Sequence, residues 1–438
     1  MKRFLMDDMV KWKNSSKRKP LLLQGARQVG KTWLMREFGS QYFENVAYIN
    51  FDGNETMKAV FDGDYNIQRI LGAINAFTGV RIEPEKTLII FDEVQEAPRA
   101  ISSLKYFCEN AREYAVIASG SYLGIAMHAG ISYPVGKVDI MTLYPMSFRE
   151  FLLAEGRENF LEFINEGNYD LIKPFADEYK RWLKEYLYVG GMPEVVADYI
   201  ECHDFTSVRD IQNRILSMYE QDFGKHASDK ELAKLRMVWT SIAIQLGKDN
   251  KKFVFADVAE GGRAAVYENA VQWLCDNGLV YKLHSVSAPR MPLKAYEVYN
   301  NFKLYLLDVG LLSARVKLPA RTILEGSDIF VEFKGALTEQ YVMQQLVSDT
   351  DFEPFFFRKT QHNEIDFLVQ GELDFVPIEV KAGIVLQSKS LLAYCKDYEP
   401  RKAVRCSLHD YIEDDPITEL PLYAVHNLTK ELSMDSKE

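Results

Sequence analysis

Apolar and polar positions follow two rhythms along the first third of the chain. Short, continuously apolar runs at 21–24, 46–51, 87–91, 114–118 and 139–143 are separated by longer stretches with apolar residues at helical spacing. Runs that are apolar on both faces are what strands buried between helix layers require, so this part predicts a parallel sheet covered by helices. From 148 to about 235 the apolar positions recur with a helical period, broken once at Gly190-Gly191-Met192-Pro193, which predicts a helical lid or linker. Residues 253–260 then read as a helix, Gly261-Gly262 as a turn and 264–277 as a second helix, the order expected of a winged helix-turn-helix. A helix over 329–347 opens the last part, followed by strand candidates at 355–358, 364–369, 375–381, 403–407 and 420–425. This part is expected to form a separate, smaller α/β unit, and the polar tail after Asn427 to fray.

Composition changes that picture little. With 47% apolar and 26% charged residues the 438-residue chain has ordinary globular usage. Its length calls for roughly two to four domains. The formal net charge of −11 gives no general attraction to a polyanion, which excludes a protein that coats nucleic acid and leaves room only for a local basic groove. Cys108, Cys202, Cys275, Cys395 and Cys406 contain no C-x-x-C pair, as expected of reduced thiols rather than a disulfide or zinc framework. The basic start at Met1-Lys2-Arg3 is followed by an apolar stretch that Asp7 and Asp8 cut short, so no secretory signal is expected. No stretch reaches the ~18 to 20 apolar residues of a membrane helix, which points to a cytoplasmic protein without a membrane partner.

The chemistry is concentrated at Gly25-Ala26-Arg27-Gln28-Val29-Gly30-Lys31-Thr32, which fits G-x-x-x-x-G-K-[ST] between an apolar strand and a helix. Glycines let such a loop curl so that its amides face inward, and the helix N-terminus adds positive potential, which makes a phosphate cradle. Lys31 is expected to bridge the β- and γ-phosphates, and the Thr32 hydroxyl to ligate Mg²⁺. The run Leu88-Ile89-Ile90-Phe91-Asp92-Glu93 delivers two carboxylates at the end of a strand, a Walker B pattern. There Asp92 would hold the metal through water, and Glu93 would polarise the attacking water. The strand at 114–118 ends in Ser119-Gly120-Ser121, and in nucleotidases of this layout a polar residue there contacts the γ-phosphate or the lytic water. Ser119 and Ser121 are the candidates. A simple Gly-Ser turn is the competing account.

These segments, in this order, resemble the prokaryotic AAA-type ATPases that carry a C-terminal domain of unknown function. Pro145-Met146-Ser147-Phe148-Arg149-Glu150-Phe151, Gly190-Gly191-Met192-Pro193 and the stretch from Lys303 to Leu312 extend the resemblance from about residue 15 to 425. Relatives usually show Gly-Arg ahead of the Pro-x-Ser-Phe segment, and this chain has Gly136-Lys137. If that arginine is a trans-acting finger, its role here passes to a lysine that cannot make the same bidentate contacts, or to Arg149 or Arg112. Such fingers are worth ~10³ to 10⁵ in rate.

A second constellation lies in the last part. Pro377-Ile378-Glu379-Val380-Lys381 is a strand ending in E-x-K, and Asp366 sits on the preceding strand across the Gly371 turn. Glu379 and Lys381 project to one face, where Asp366 can join them. Glu339 falls in the stripe Ala336, Met343, Leu346 of the preceding helix, where a carboxylate needs a metal or a lysine as partner. Together the four resemble a restriction-endonuclease-like core, which implies Mg²⁺ on Asp366 and Glu379, Lys381 orienting water and Glu339 completing the metal shell. A solvated strand end is the competing account of E-x-K alone; the added carboxylates favour the fold, which also serves as an inert docking domain, so the fold is expected ahead of nuclease activity.

The expected fold class is therefore α/β: a P-loop NTPase parallel sheet with helical lid and winged helix, then a restriction-endonuclease-like domain. The expected boundaries are 1–152 for the ATPase core, 153–234 for the lid, 235–318 for the winged-helix segment and 319–438 for the last domain. The expected cofactors are ATP and Mg²⁺. Expected partners are further copies of the chain, up to a hexamer, and an unknown protein, with DNA left open. Three functions compete: an ATPase that remodels a partner, an ATP-licensed nuclease, and a slowly hydrolysing switch acting through the winged helix.

Overall fold

The computed structural model describes residues 1–120, 134–226, 228–325, 331–360, 363–372, 374–383 and 388–433. The chain forms two units, Lys2–Tyr144 with Asp276–Leu279, and Pro145–Cys275 with Val280–Glu438 and Met1.

In the first unit, strands β1 (Leu21–Gln24), β2 (Asn45–Asn50), β3 (Thr87–Asp92), β4 (Ala115–Ser119) and β5 (Asp139–Thr142) form one parallel sheet in the order β2-β3-β4-β1-β5. The three central strands are buried almost throughout because helices cover both faces. The edge strands differ from the expectation of strands apolar on both faces. β5 is buried nowhere along its length and Ile140 is 50% exposed, because only one side of an edge strand is paired and covered. Phe91, one residue before Asp92, is fixed edge-on by Phe51, Phe61 and Phe107, which anchors the end of β3.

In the second unit, helices from Phe148–Ala154 to Asp229–Leu246 follow one another, interrupted at 190–192 as the glycine pair predicts. The second helix of the expected winged-helix segment is Ala264–Asp276, and a hairpin of β6 (Val280–Val286) and β7 (Glu297–Leu306) follows it. After it come the helix Val331–Asp349 and the strands β8 (Phe355–Thr360), β9 (Asn363–Gln370), β10 (Phe375–Val380), β11 (Ala403–Ser407) and β12 (Ile417–Pro421). These seven strands make one mixed sheet, β12-β11-β10-β9-β8-β6-β7. β6 pairs in parallel with β8, Ser285 opposite Phe356, so the hairpin behind the second helix is part of this sheet rather than a free wing.

Two expected elements come out differently. The helix expected at 253–260 is a single 3-10 turn, Phe255–Asp257; ahead of it the Phe253 amide donates to the Phe302 carbonyl (2.8 Å) and the Val254 amide to Gln245 Oε1 (2.7 Å). The strand expected at 420–425 ends at Pro421, and Leu422–Asn427 is a 3-10 segment. Pro421 has no N–H to continue the ladder.

The loosely spaced motifs at 145–151, 190–193 and 303–312 meet at one buried junction in the second unit. Asp308 is fully buried and accepts from the Gly191 amide (2.6 Å), the Leu311 amide (2.9 Å) and Gln344 Nε2 (3.2 Å), and burial pushes its carboxyl up. Tyr186 donates to the Met146 carbonyl (2.6 Å), and the Val309 and Phe148 amides donate to Gln344 and Gln345 (2.8 Å each). A Cβ on Gly191 would overlap the Met146 carbonyl, so only glycine allows the two backbone segments to come this close.

Candidate functional site

The phosphate loop follows β1 and feeds the helix Lys31–Tyr42. Gly25 has φ +149° and Gly30 φ +95°, and a Cβ on Gly25 would overlap the Leu143 carbonyl, so the loop path requires both glycines. From behind, the buried Arg3 guanidinium donates to the Val29 carbonyl (2.9 Å) and the Tyr144 carbonyl (2.6 Å). Lys31 folds back onto the loop and donates to the carbonyls of Gly25 (2.9 Å) and Ala26 (2.8 Å). Burial pulls its pKa down to about 8 against the opposing pull of Glu93 and Asp92.

The strand order puts β4 between β1 and β3, so the phosphate loop, Ser119 and Asp92 emerge side by side at one end of the sheet. Asp92, 3% exposed, gathers three hydroxyls. Thr32 and Tyr48 each donate to Oδ2 (2.8 Å), and Ser119 donates to Oδ1 (2.5 Å). A hydroxyl against a carboxylate is the donor set that Mg²⁺ takes at a nucleotide site, completed by phosphate oxygens and water, so Thr32 and Asp92 fit the metal. Glu93 sits beyond the strand in the left-handed region, φ +51°, and Gln95 Nε2 donates to its Oε2 (2.5 Å). A non-glycine residue held there costs about 1 kcal/mol or more and turns the side chain away from the strand direction.

The expected residues Gly25, Ala26, Arg27, Gln28, Val29, Gly30, Lys31, Thr32, Asp92, Glu93 and Ser119 thus lie on neighbouring elements of one unit. Ser119 points at the Asp92 carboxylate, and Ser121 lies outside the described residues. Nothing in the sequence marks Tyr48, which alternates with buried residues in β2 and so has the pattern of a core position. Its phenol is pushed up to about 12, by burial first and then by the bond to Asp92, so it stays a donor. Arg36 lies 3.9 Å over its ring.

Two of the finger candidates lie away from this end. Lys137 precedes β5 and Arg112 precedes β4, so both sit at the far end of the parallel sheet, roughly 15 Å along strands of this length. Lys137 pairs with Glu109 (2.8 Å), and Arg112 donates to the Cys108 carbonyl (3.2 Å). Arg149, in the second unit, donates to Asn165 (3.1 Å).

In the second unit, Glu339, Asp366, Glu379 and Lys381 converge, as the strand spacing predicts, but on protein partners. Glu339 pairs with Lys251 through Oε1, and its Oε2 accepts from Tyr305 (3.2 Å) and faces Lys303 (3.6 Å). Asp366 Oδ2 accepts from the Val380 amide (2.8 Å). Glu379 accepts from the Leu391 amide (3.2 Å) and pairs with Lys381 (2.5 Å). Burial, and then the charge of Glu339, pushes the Asp366 carboxyl up to about 7. Among the described residues, no three His, Cys, Asp or Glu side chains are grouped so as to hold a metal ion. The cysteines are free thiols, and no helix among the described residues is long and apolar enough to cross a membrane.

A five-stranded parallel sheet with phosphate loop, acidic strand end and intervening serine strand is of the AAA-type P-loop ATPase class, and residues 17–152 match the family model described as an AAA domain. Residues 180–322 match a domain of unknown function (DUF8612) and residues 334–425 another (DUF4143), in keeping with the order of segments in the sequence. No curated protein matches the chain. Among solved structures it is similar to the Walker-type ATPase PABY2304 of Pyrococcus abyssi, at 13% identity over 72% of this chain and 95% of that one, with a TM-score of 0.45. It is also similar to RuvB of Thermotoga maritima, at 14% identity over 63% and 87% with a TM-score of 0.28. The Aeropyrum pernix ORC1 protein, solved in complex with DNA, matches at 11% identity over 73% and 92%, also with a TM-score of 0.28.

Proposed function

We propose that the chain binds ATP with Mg²⁺ and hydrolyses it, and that turnover drives a conformational cycle acting on a partner protein. The observation that carries this is the Asp92 carboxylate gathering the Thr32 and Ser119 hydroxyls beside Lys31 and Glu93. The inward amides of residues 25–32 and the Lys31 ammonium hold the β- and γ-phosphates. Bound Mg²⁺ would neutralise phosphate charge, and Thr32, with Asp92 through water, would hold it. Tyr48 and Ser119 keep the Asp92 carboxylate in one orientation. Glu93, steadied by Gln95, accepts a proton from the attacking water as its oxygen bonds to the γ-phosphorus and the bond to the β–γ bridging oxygen breaks, giving ADP and phosphate.

Lys137 and Arg112 face away from their own phosphate loop, so a cation from either can reach only the γ-phosphate of a neighbouring copy. This favours a homo-oligomer, with a closed ring as the arrangement in which every site receives its neighbour's cation. The test is Glu93→Gln. Nucleotide affinity should stay within about twofold while steady-state turnover falls by roughly 10² or more. Undiminished turnover would remove Glu93 from the chemistry.

A further inference from the structure

The C-terminal carboxylates carry a different message from the one their spacing suggests. Glu339 and Glu379 are 4% and 3% exposed, and Lys303 is completely buried. A buried charge must be paired, and a divalent metal needs several carboxylate oxygens left open to it. Here both Glu339 oxygens are engaged by Lys251, Lys303 and Tyr305, and both Glu379 oxygens by Lys381 and the Leu391 amide. Glu364 closes the set. It takes Lys303 on Oε1 (2.6 Å) and Arg358 on Oε2. Glu339, Glu364 and Glu379 thus face Lys251, Lys303, Arg358 and Lys381, so the cations already match the carboxylates whether or not Asp366 carries its charge. A metal ion would add two positive charges to a cluster whose cations already match its carboxylates.

The origin of the cations matters as much as their number. Lys303 and Tyr305 alternate along one face of β7, and Lys251 comes from the loop after the helix Asp229–Leu246. Neither lysine lies within residues 334–425, the stretch that matches the C-terminal domain model. The same loop makes a second contact, Arg358 Nη1 donating to Asn250 Oδ1 (2.9 Å), and the Phe253 amide bonds to β7. Lys251 therefore reaches into the carboxylates on a braced segment and not as a loose surface side chain.

We propose that Lys251 and Lys303 are the resident cations of this cluster, and that it is a charge lock fastening residues 248–253 and the edge strand β7 to the helix Val331–Asp349 and to β9 and β10, rather than a divalent-metal site. The pattern of Asp366, Glu379 and Lys381 is retained, while the position a metal would need beside Glu339 is filled by ammonium groups tied to the preceding segment. Losing one partner of such a pair leaves an uncompensated buried charge, which is far costlier than losing both.

The full-length protein without nucleotide tests this in two ways. In Mn²⁺ titrations by calorimetry, wild type and Asp366→Asn should give the same binding isotherm. Lys251→Met should lower Tm by about 5 °C or more, Lys251→Arg should recover much of the loss, and Lys251→Met/Glu339→Gln should be more stable than Lys251→Met alone. Wild-type Mn²⁺ binding that Asp366→Asn weakens tenfold overturns the proposal. So does a Lys251→Met protein of unchanged Tm, or a double variant no better than the single one. If Lys251→Met does not fold, recovery of a folded double variant decides in favour of the lock and failure to recover decides against it. Mn²⁺-dependent DNA cleavage abolished by Lys381→Ala would also overturn it.

Discussion

Lys31 is the residue at which the empty and the loaded phosphate loop should differ most in protonation. Burial has drawn its pKa from 10.5 down to about 8, so just above neutrality the ammonium already begins to lose its proton. Phosphate oxygens favour the charged form and raise the pKa again on binding. The sign follows: affinity contributed by this contact is complete below about pH 8, and it weakens as pH rises from there toward the bound-state value. Binding in that interval must take up protons. Titration calorimetry at pH 8.5 in buffers of different ionisation enthalpy should show an uptake greater than zero, which Lys31→Met should abolish. No dependence on buffer would sink the lysine–phosphate contact. This residue was legible because its motif is local, eight consecutive positions between a strand and a helix. Tyr48 and Arg3 were not, since each acts on the site through a fold contact that no spacing in the sequence records.

At the scale of elements, the sequence is readable where one segment decides its own structure and unreadable where a distant one does. Leu21–Gln24 and Ala403–Ser407 lie where their apolar runs put them. The stretch 253–260 has helical spacing, but it is tied to β7 at Phe253 and to Gln245 at Val254 and makes only one 3-10 turn. The glycine pair at 190–191 could be read as a break, yet not as the place where four segments cross. That crossing makes a sharp prediction. Gly191→Ala sets a Cβ against the backbone carbonyl of Met146, which cannot swing aside while Tyr186 bonds to it, and should cost about 2 to 3 kcal/mol. Gly72→Ala, on the exposed face of the helix Ile67–Thr78 with open space around it, should instead stabilise by roughly 0.5 to 1 kcal/mol. Denaturant titration of both variants checks the contrast. Equal effects would mean that the junction at Gly191 yields as easily as a helix surface.

For the whole molecule, the strand order of the first sheet has a consequence beyond one chain. Parallel strands place every connection at one end or the other, so the loops that carry Lys31, Glu93 and Ser119 share one end while Arg112 and Lys137 share the opposite one. A cation at the far end serves catalysis only across an interface, and Lys137 must then leave Glu109, to which it is tied at an exposed position. Mixing separates this from a purely structural pair. Lys137→Ala and Glu93→Gln should each lose turnover when pure. In an equal mixture of the two, a site works when its own protomer carries Glu93 and its neighbour carries Lys137, so roughly a quarter of the sites should recover in a head-to-tail assembly. Steady-state phosphate release from the remixed proteins reads this directly. A mixture as inactive as its components would place Lys137 outside the neighbouring site and leave the Glu109 pair as a contact within one protomer.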